Sequence, residues 1–339
     1  MWWNTLGAAR YRAGDWTASV QALMKSMELH DGGDSFDWFL VAMACWQMKQ
    51  EDLAREWFNA AQTWMERHKA KNEELLRFRS EAAALLKMPE RSSSKTPPGS
   101  DEPTAVYALV LKTDPGAVWA YSKRGGVYAV QKQFEKAAAD FQKVVDSGSD
   151  DVEGVWYPLA LLQLKAGRTA EYQGLCTQLL KRLRQSDEQG LVRMTIVICK
   201  LGPQAGANGA KVVEMADTIV KKSPNNFEVV GIFGECLYRK GDFRAAIEQL
   251  DKSAHSDAGI GIHWRHLFLA MSHHQLGHQA QAETCLRQAT DWIEKNASEK
   301  PAPGAELTTP LPWTLRLDLR LLRQEAEKLV LPAERQPAS

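Results

Sequence analysis

Residues 233–254 read FGECLYRKGDFRAAIEQLDKSA, and residues 6–27 read LGAARYRAGDWTASVQALMKSM. The two stretches superpose without a gap. Leu6-Gly7 meets Phe233-Gly234, Tyr11 meets Tyr238, and Gly14-Asp15-Trp16 meets Gly241-Asp242-Phe243. Apolar residues at helical spacing follow in each: Val20, Leu23 and Met27 in one, Ala246, Leu250 and Ala254 in the other. Apolar positions three and four apart predict amphipathic helices, and the glycine between the two halves predicts a tight turn where a left-handed backbone costs little. Each stretch is therefore a helix hairpin. Gly7 falls where the two helices of its hairpin cross, and a larger side chain there would overpack by roughly 1–3 kcal/mol.

The pattern recurs along the chain. A unit beginning near Phe36 supplies Ala42, Ala54, Phe58 and Ala61. Later units carry Gly125, Tyr128, Ala137 and Phe141, then Trp156, Leu159, Ala160 and Gly167, and finally Leu269, Ala270, Gly277, Ala282, Leu286 and Ala289. One unit, from about Asp187 to Pro224, is stretched by LGPQAGANGA. These residues resemble the tetratricopeptide repeat, a unit of about 34 residues with Trp-x2-Leu-Gly-x2-Tyr in its first helix; Trp3, Leu6 and Gly7 fill that pattern here. The resemblance implies an all-α fold, an α-solenoid in a right-handed superhelix of helix-turn-helix repeats. No such unit buries its own face, so neighbours must stack.

PERSSSKTPPGSDEPT, between Met88 and Ala105, cannot support a helix and reads as a linker. The expected organisation is two repeats and a capping helix over residues 1–88, a linker over 89–104, an array of about five repeats with its own capping helix over 105–331, and a disordered tail over 332–339. A larger duplication runs across the linker. Arg12 to Trp16 matches Arg239 to Phe243, Val41 to Ala44 matches Leu269 to Ser272, and Thr63 to Glu66 matches Asp291 to Glu294. After a gap, Phe78-Arg79-Ser80-Glu81-Ala82 matches Leu322-Arg323-Gln324-Glu325-Ala326. Two repeats and a terminal helix form a module used twice. Trp3 already sits inside the first helix, so the first module reads as the close of an array, with either its opening repeats missing or the second segment packed against its open end. The module is also similar to planctomycete-type bacterial arrays found beside serine/threonine kinase or WD-repeat domains. That likeness implies a signalling or assembly context.

Lys plus Arg and Asp plus Glu both number 42, so no net field draws the protein to phosphate backbones or anionic lipid. No nucleic acid and no membrane are expected as partners. The N-terminus lacks a signal peptide pattern, no run of eighteen apolar residues occurs, and a cytoplasmic location is expected. The five cysteines show no C-x-x-C spacing and read as reduced packing residues.

No nucleophile and base pair stands out, the glycines around Lys211 lack the Walker spacing, and neither an enzyme nor a cofactor is expected. His255, His263, His266, His273, His274 and His278 crowd one region. A metal-dependent regulator or enzyme built on that cluster is the alternative reading. Packing is the stronger one, because no carboxylate or cysteine sits at ligand spacing beside them. RNA binding, as in other helical-repeat arrays, is a second alternative.

In the family that this chain resembles, the first helix of each pair lines an inner groove. Carrying those positions over gives Tyr11 and Arg12, then Phe39, Met43 and Trp46, then Tyr157, Tyr238, Arg239, Trp264, Met271 and His274 as partner-binding candidates. Aromatic, Met and Arg lining suits a protein or peptide partner, extended or helical. It departs from the family's chaperone-tail clamp, since Asn4 with Ala8 and Phe39 with Met43 stand where Lys and Asn would be needed. The other reading of Phe39, Met43 and Trp46 is packing beneath a neighbouring helix or a self-association surface.

Overall fold

The computed structural model describes residues 2–69, 71–88, 103–183, 189–202, 209–254, 261–299, 306–307 and 309–332. Residues 89–102 of the expected 89–104 linker, His255 and most of the tail lie outside them, while Pro103 and Thr104, expected as the linker's end, open a helix instead. The described residues form seventeen α-helices and a short π-helical segment, with no strand among them. The chain is all-α, as the periodicity predicts. None of these helices is long and apolar enough to cross a membrane. Two compact units divide at Gly148 and Ser149.

The first unit holds α1 (Trp2–Arg12), α2 (Trp16–Leu29), α3 (Ser35–Gln47), α4 (Glu51–His68), α5 (Glu73–Leu86), α6 (Pro103–Thr113), α7 (Val118–Val130) and α8 (Phe134–Asp146). Consecutive helices pair as α1–α2, α3–α4 and α7–α8. Capping sets the register. Asp15 accepts from the Ala18 amide at the start of α2, Asp34 and Asp37 form a reciprocal capping box on α3, and Asn72 caps α5. The predicted small residue at the crossing is required: a Cβ on Gly7 would stand 2.6 Å from Leu23 Cγ. Trp38 meets Trp57 at a tilt and the half-buried Trp64 edge-on, at centroid spacings near 6 Å. The helix after the linker packs onto this core, with Trp57 Nε1 donating to Thr113 Oγ1 at 2.9 Å and Lys112 paired with Glu56 at 2.5 Å.

The second unit opens on the π-helical segment Val152–Trp156 and continues with α9 (Tyr157–Lys165), α10 (Thr169–Leu183), α11 (Gln189–Cys199), α12 (Gly209–Lys222), α13 (Phe227–Lys240), α14 (Phe243–Ala254), α15 (Ile262–Gln275), α16 (Gln279–Asn296) and α17 (Trp313–Val330). Gly241 ends α13 in the left-handed region at φ 91°, and a Cβ on Gly234 would stand 2.7 Å from Leu250 Cγ, as one on Gly7 would crowd Leu23. The duplicated hairpins thus share one crossing contact. Cys45, Cys176, Cys199 and Cys236 are buried and free, Cys285 is half-buried, and burial pushes the Cys45 and Cys236 thiols up to about 12.

Of the described histidines in the cluster, His263, His266, His273 and His274 are half-buried and His278 is exposed. His263 lies flat on Trp292 at 3.9 Å, 6.3 Å from His266, and His273 meets His278. Burial, helped by His266, takes His263 down to about 4. Among the described residues no group of three His, Cys, Asp or Glu could hold a metal ion.

Candidate functional site

The first helices of the hairpins present the candidate residues, and in each unit a further helix lies against them. In the first unit that helix is α5, which packs on α3 and α4. Its apolar stripe is buried at Leu75, Ala82, Ala83 and Leu86, and its Phe78 meets Phe36 edge-on at 6.0 Å. Arg12, at the end of α1, reaches across to both carboxylate oxygens of Glu81.

In the second unit α17 takes the corresponding place, against α9, α15 and α16. Its 18 residues bury Leu319, Leu322, Ala326 and Val330 along one side, and Leu317 on another. Adding 244 to the α5 numbers carries Leu75 to Leu319, Ala82 to Ala326 and Leu86 to Val330, the same register in which Glu81 becomes Glu325. Arg239 forks Glu325, one of the two bonds being 2.8 Å, as Arg12 forks Glu81. Two helices of different sequence therefore seat in one register.

The second seat is far more buried. The Arg239 side chain is 4% exposed, against 58% for Arg12. Arg239 also donates to the Lys200 and Leu201 carbonyls at 2.8 and 3.0 Å, at the end of α11. Asp318 of α17 accepts from Tyr157 Oη at 2.9 Å and from Trp264 Nε1 at 3.0 Å. Beside it Lys200 pairs with Glu235, both nearly inaccessible. Burial pushes Asp318 above the usual carboxylate range, and Lys200, Tyr157 and Trp264 pull against it. Burial also opposes the charge on Lys200, but Glu235 and Asp318 outweigh it and hold Lys200 above the usual lysine range.

The candidates from the sequence now have places. Tyr157, Arg239 and Trp264 come together on α17. Tyr238 packs between Phe243 and Phe268, at 5.7 and 5.5 Å. Phe39, Met43 and Met271 are fully buried and have no surface free in this conformation, which agrees with the packing alternative for the first two. Tyr11, Trp46 and His274 are half-buried and Arg12 is exposed. Arg55 lies over the Trp46 ring at 5.6 Å, and His274 Nδ1 is 3.1 Å from Gln279 Oε1.

The sequence reading placed Glu235 on the first-helix face but missed Glu81, Asp318, Glu325 and Lys200. A signal existed for two of them, because the duplication matched Arg12 with Arg239 and Glu81 with Glu325. It gave no reason to pair arginine with glutamate across 69 and 86 residues.

Stacked helix hairpins whose first helices receive another helix of the chain define the class of this molecule. Within it, residues 266–296, which span most of α15 and α16, match the family model for the tetratricopeptide repeat, so that hairpin is a tetratricopeptide repeat. No curated protein matches the sequence. Similar solved structures include a tetratricopeptide repeat protein from Parabacteroides merdae, 11% identical over 94% of this chain and 97% of that one at TM-score 0.43. YrrB, described as a TPR protein with an unusual peptide-binding site, is 16% identical over 67% and 89% at 0.30. The human IFIT1 dimer with m7Gppp-AAAA is 14% identical over 85% and 67% at 0.37.

Proposed function

We propose that this protein is a non-catalytic, cytoplasmic scaffold for protein–protein contacts, and that it takes a peptide or helix of its partner on the first-helix face. The observation that carries this reading is the seat itself. In both units a helix lies on the first helices with its apolar side inward and one glutamate on an arginine, so the face has the shape and chemistry to hold a helix. Arg12, Tyr11, Trp46 and His274 remain accessible there for a partner, or for a second copy of the chain.

The experiment is site-directed crosslinking in the native cell. A photo-reactive phenylalanine analogue replaces Trp46 in one sample and the exposed Lys143 of α8 in another. A discrete adduct from position 46 that is missing from position 143 supports the reading. Adducts from 143 alone, or the same set from both positions, would make the first-helix face the wrong surface.

A further inference from the structure

We infer that the inner face of the second unit is a receptor for an amphipathic helix bearing two carboxylates seven residues apart, and that a partner helix of this chemistry replaces α17 there. The inference rests on the scaffold reading and names the partner's chemistry.

Asp318 and Glu325 stand two turns apart on one side of α17, among leucines, since seven residues nearly complete two helical turns. Each meets its own receptor. Tyr157 and Trp264 donate to Asp318, while Arg239, already anchored by the carbonyls closing α11, forks Glu325. The geometry reads a helix by two charges and an apolar stripe between them.

The first unit shows that the reading does not depend on one sequence. EELLRFRSEAAALL and WTLRLDLRLLRQEAEKLV share little beyond the register, yet Glu81 and Glu325 reach equivalent arginines and the same stripe positions are buried. The second receptor asks for more. The first unit has Phe36 where the second has Trp264, and Phe36 offers no N–H, so Glu74, the counterpart of Asp318, is exposed. Two carboxylates are therefore the requirement of the second unit alone.

The seat also suits exchange. The charge pairs give α17 little net hold, because the cost of removing charge from water offsets most of their attraction. A competing helix with the same two carboxylates regains every contact that α17 gives up. Its disadvantage is the tether, which presents α17 at an effective concentration on the order of millimolar.

The test uses the full chain and a fluorescein-labelled peptide of residues 313–330. Binding is measured by anisotropy to the natural chain and to a chain carrying Glu325→Gln, and α17 amide exchange in the natural chain is followed with and without unlabelled peptide. The expected result is at least tenfold tighter binding to the Glu325→Gln chain, where the resident helix is loosened and Arg239 keeps its carbonyl partners. A peptide with Asp318→Asn and Glu325→Gln should bind at least tenfold more weakly. Added natural peptide should lower protection of α17 and leave α13 unchanged.

The exchange measurement needs no variant and decides the matter if Glu325→Gln does not fold. Undiminished α17 protection at millimolar peptide would overturn the inference, and equal binding of the peptide without its two carboxylates would overturn the carboxylate requirement. Either outcome leaves the scaffold reading standing on a crosslink from position 46, and loss of that crosslink with peptide exchange intact would separate the two the other way.

Discussion

Arg239 on α13 forks the carboxylate of Glu325 on α17 with its side chain 4% exposed, while Arg12 makes the same fork to Glu81 with its side chain 58% exposed. The same pair in two environments predicts two energies. Arg239→Ala removes the fork to the quarter-exposed Glu325 and leaves the Lys200 and Leu201 carbonyls without their donor, and should cost about 1.5–3 kcal/mol. Arg12→Ala, largely solvated, should cost less than about 1 kcal/mol. Urea denaturation of the two variants checks the contrast, and equal losses would contradict it.

Lys200 is the counter-charge of two carboxylates, Glu235 and Asp318. Lys200→Met should cost about 3–5 kcal/mol because both are left buried without a cation. Adding Glu235→Leu should recover more than half of that loss. Thermal denaturation of the single and double variants reads the difference, and a double variant less stable than the single one would be inconsistent with the pairing.

At the hairpin crossing, a Cβ on Gly234 would stand 2.7 Å from Leu250 Cγ and 3.1 Å from the Leu250 amide nitrogen. Gly234→Ala should destabilise by about 1–3 kcal/mol. Leu250→Ala in the same chain should relieve the crowding, so the double variant should lose less than the sum of the singles. Additive losses in a double-mutant cycle would show that the two positions do not touch.

His263 is half-buried on Trp292, and burial takes it from 6.5 to about 4. Its folded-state pKa lies below the unfolded value, so between about pH 6.5 and 4 the unfolded chain binds a proton that the folded chain refuses. Stability should fall through this window as pH is lowered, by about 1–2 kcal/mol once partial exposure is allowed for. His263→Phe keeps a ring on Trp292 and removes the proton. Its melting temperature should vary less with pH over the window, and an unchanged profile would assign the pH dependence to other groups.

Much of the molecule was legible in the chain because hairpins are local. The small residues at crossings, the glycines in turns and the apolar stripes all act within a few tens of residues. Gly14, Gly167, Gly241 and Gly277 occupy the left-handed turn positions that the repeat implies. Lys49 and Lys132 adopt the same backbone at φ 65° and 62° without any glycine to announce it. The surrounding hairpin holds those turns, so composition alone did not reveal them.

The candidate site was legible in its residue types and not in its state. Tyr157, Trp264 and Arg239 were identifiable as first-helix residues, since that follows from position in the repeat. Their engagement by Asp318 and Glu325 was not, because no period links residues 161, 54 and 86 apart.

The sequence by itself determined an all-α array of helix hairpins, its duplicated module and the chemistry of its first-helix face, since all three follow from contacts between neighbours along the chain. Only the tertiary structure decided what lies on that face. The placing of α5 and α17 depends on apolar stripes and charges that meet across 69 and 86 residues of chain, and burial, which sequence spacing does not report, makes one Arg–Glu fork an anchor and leaves the other a solvated contact.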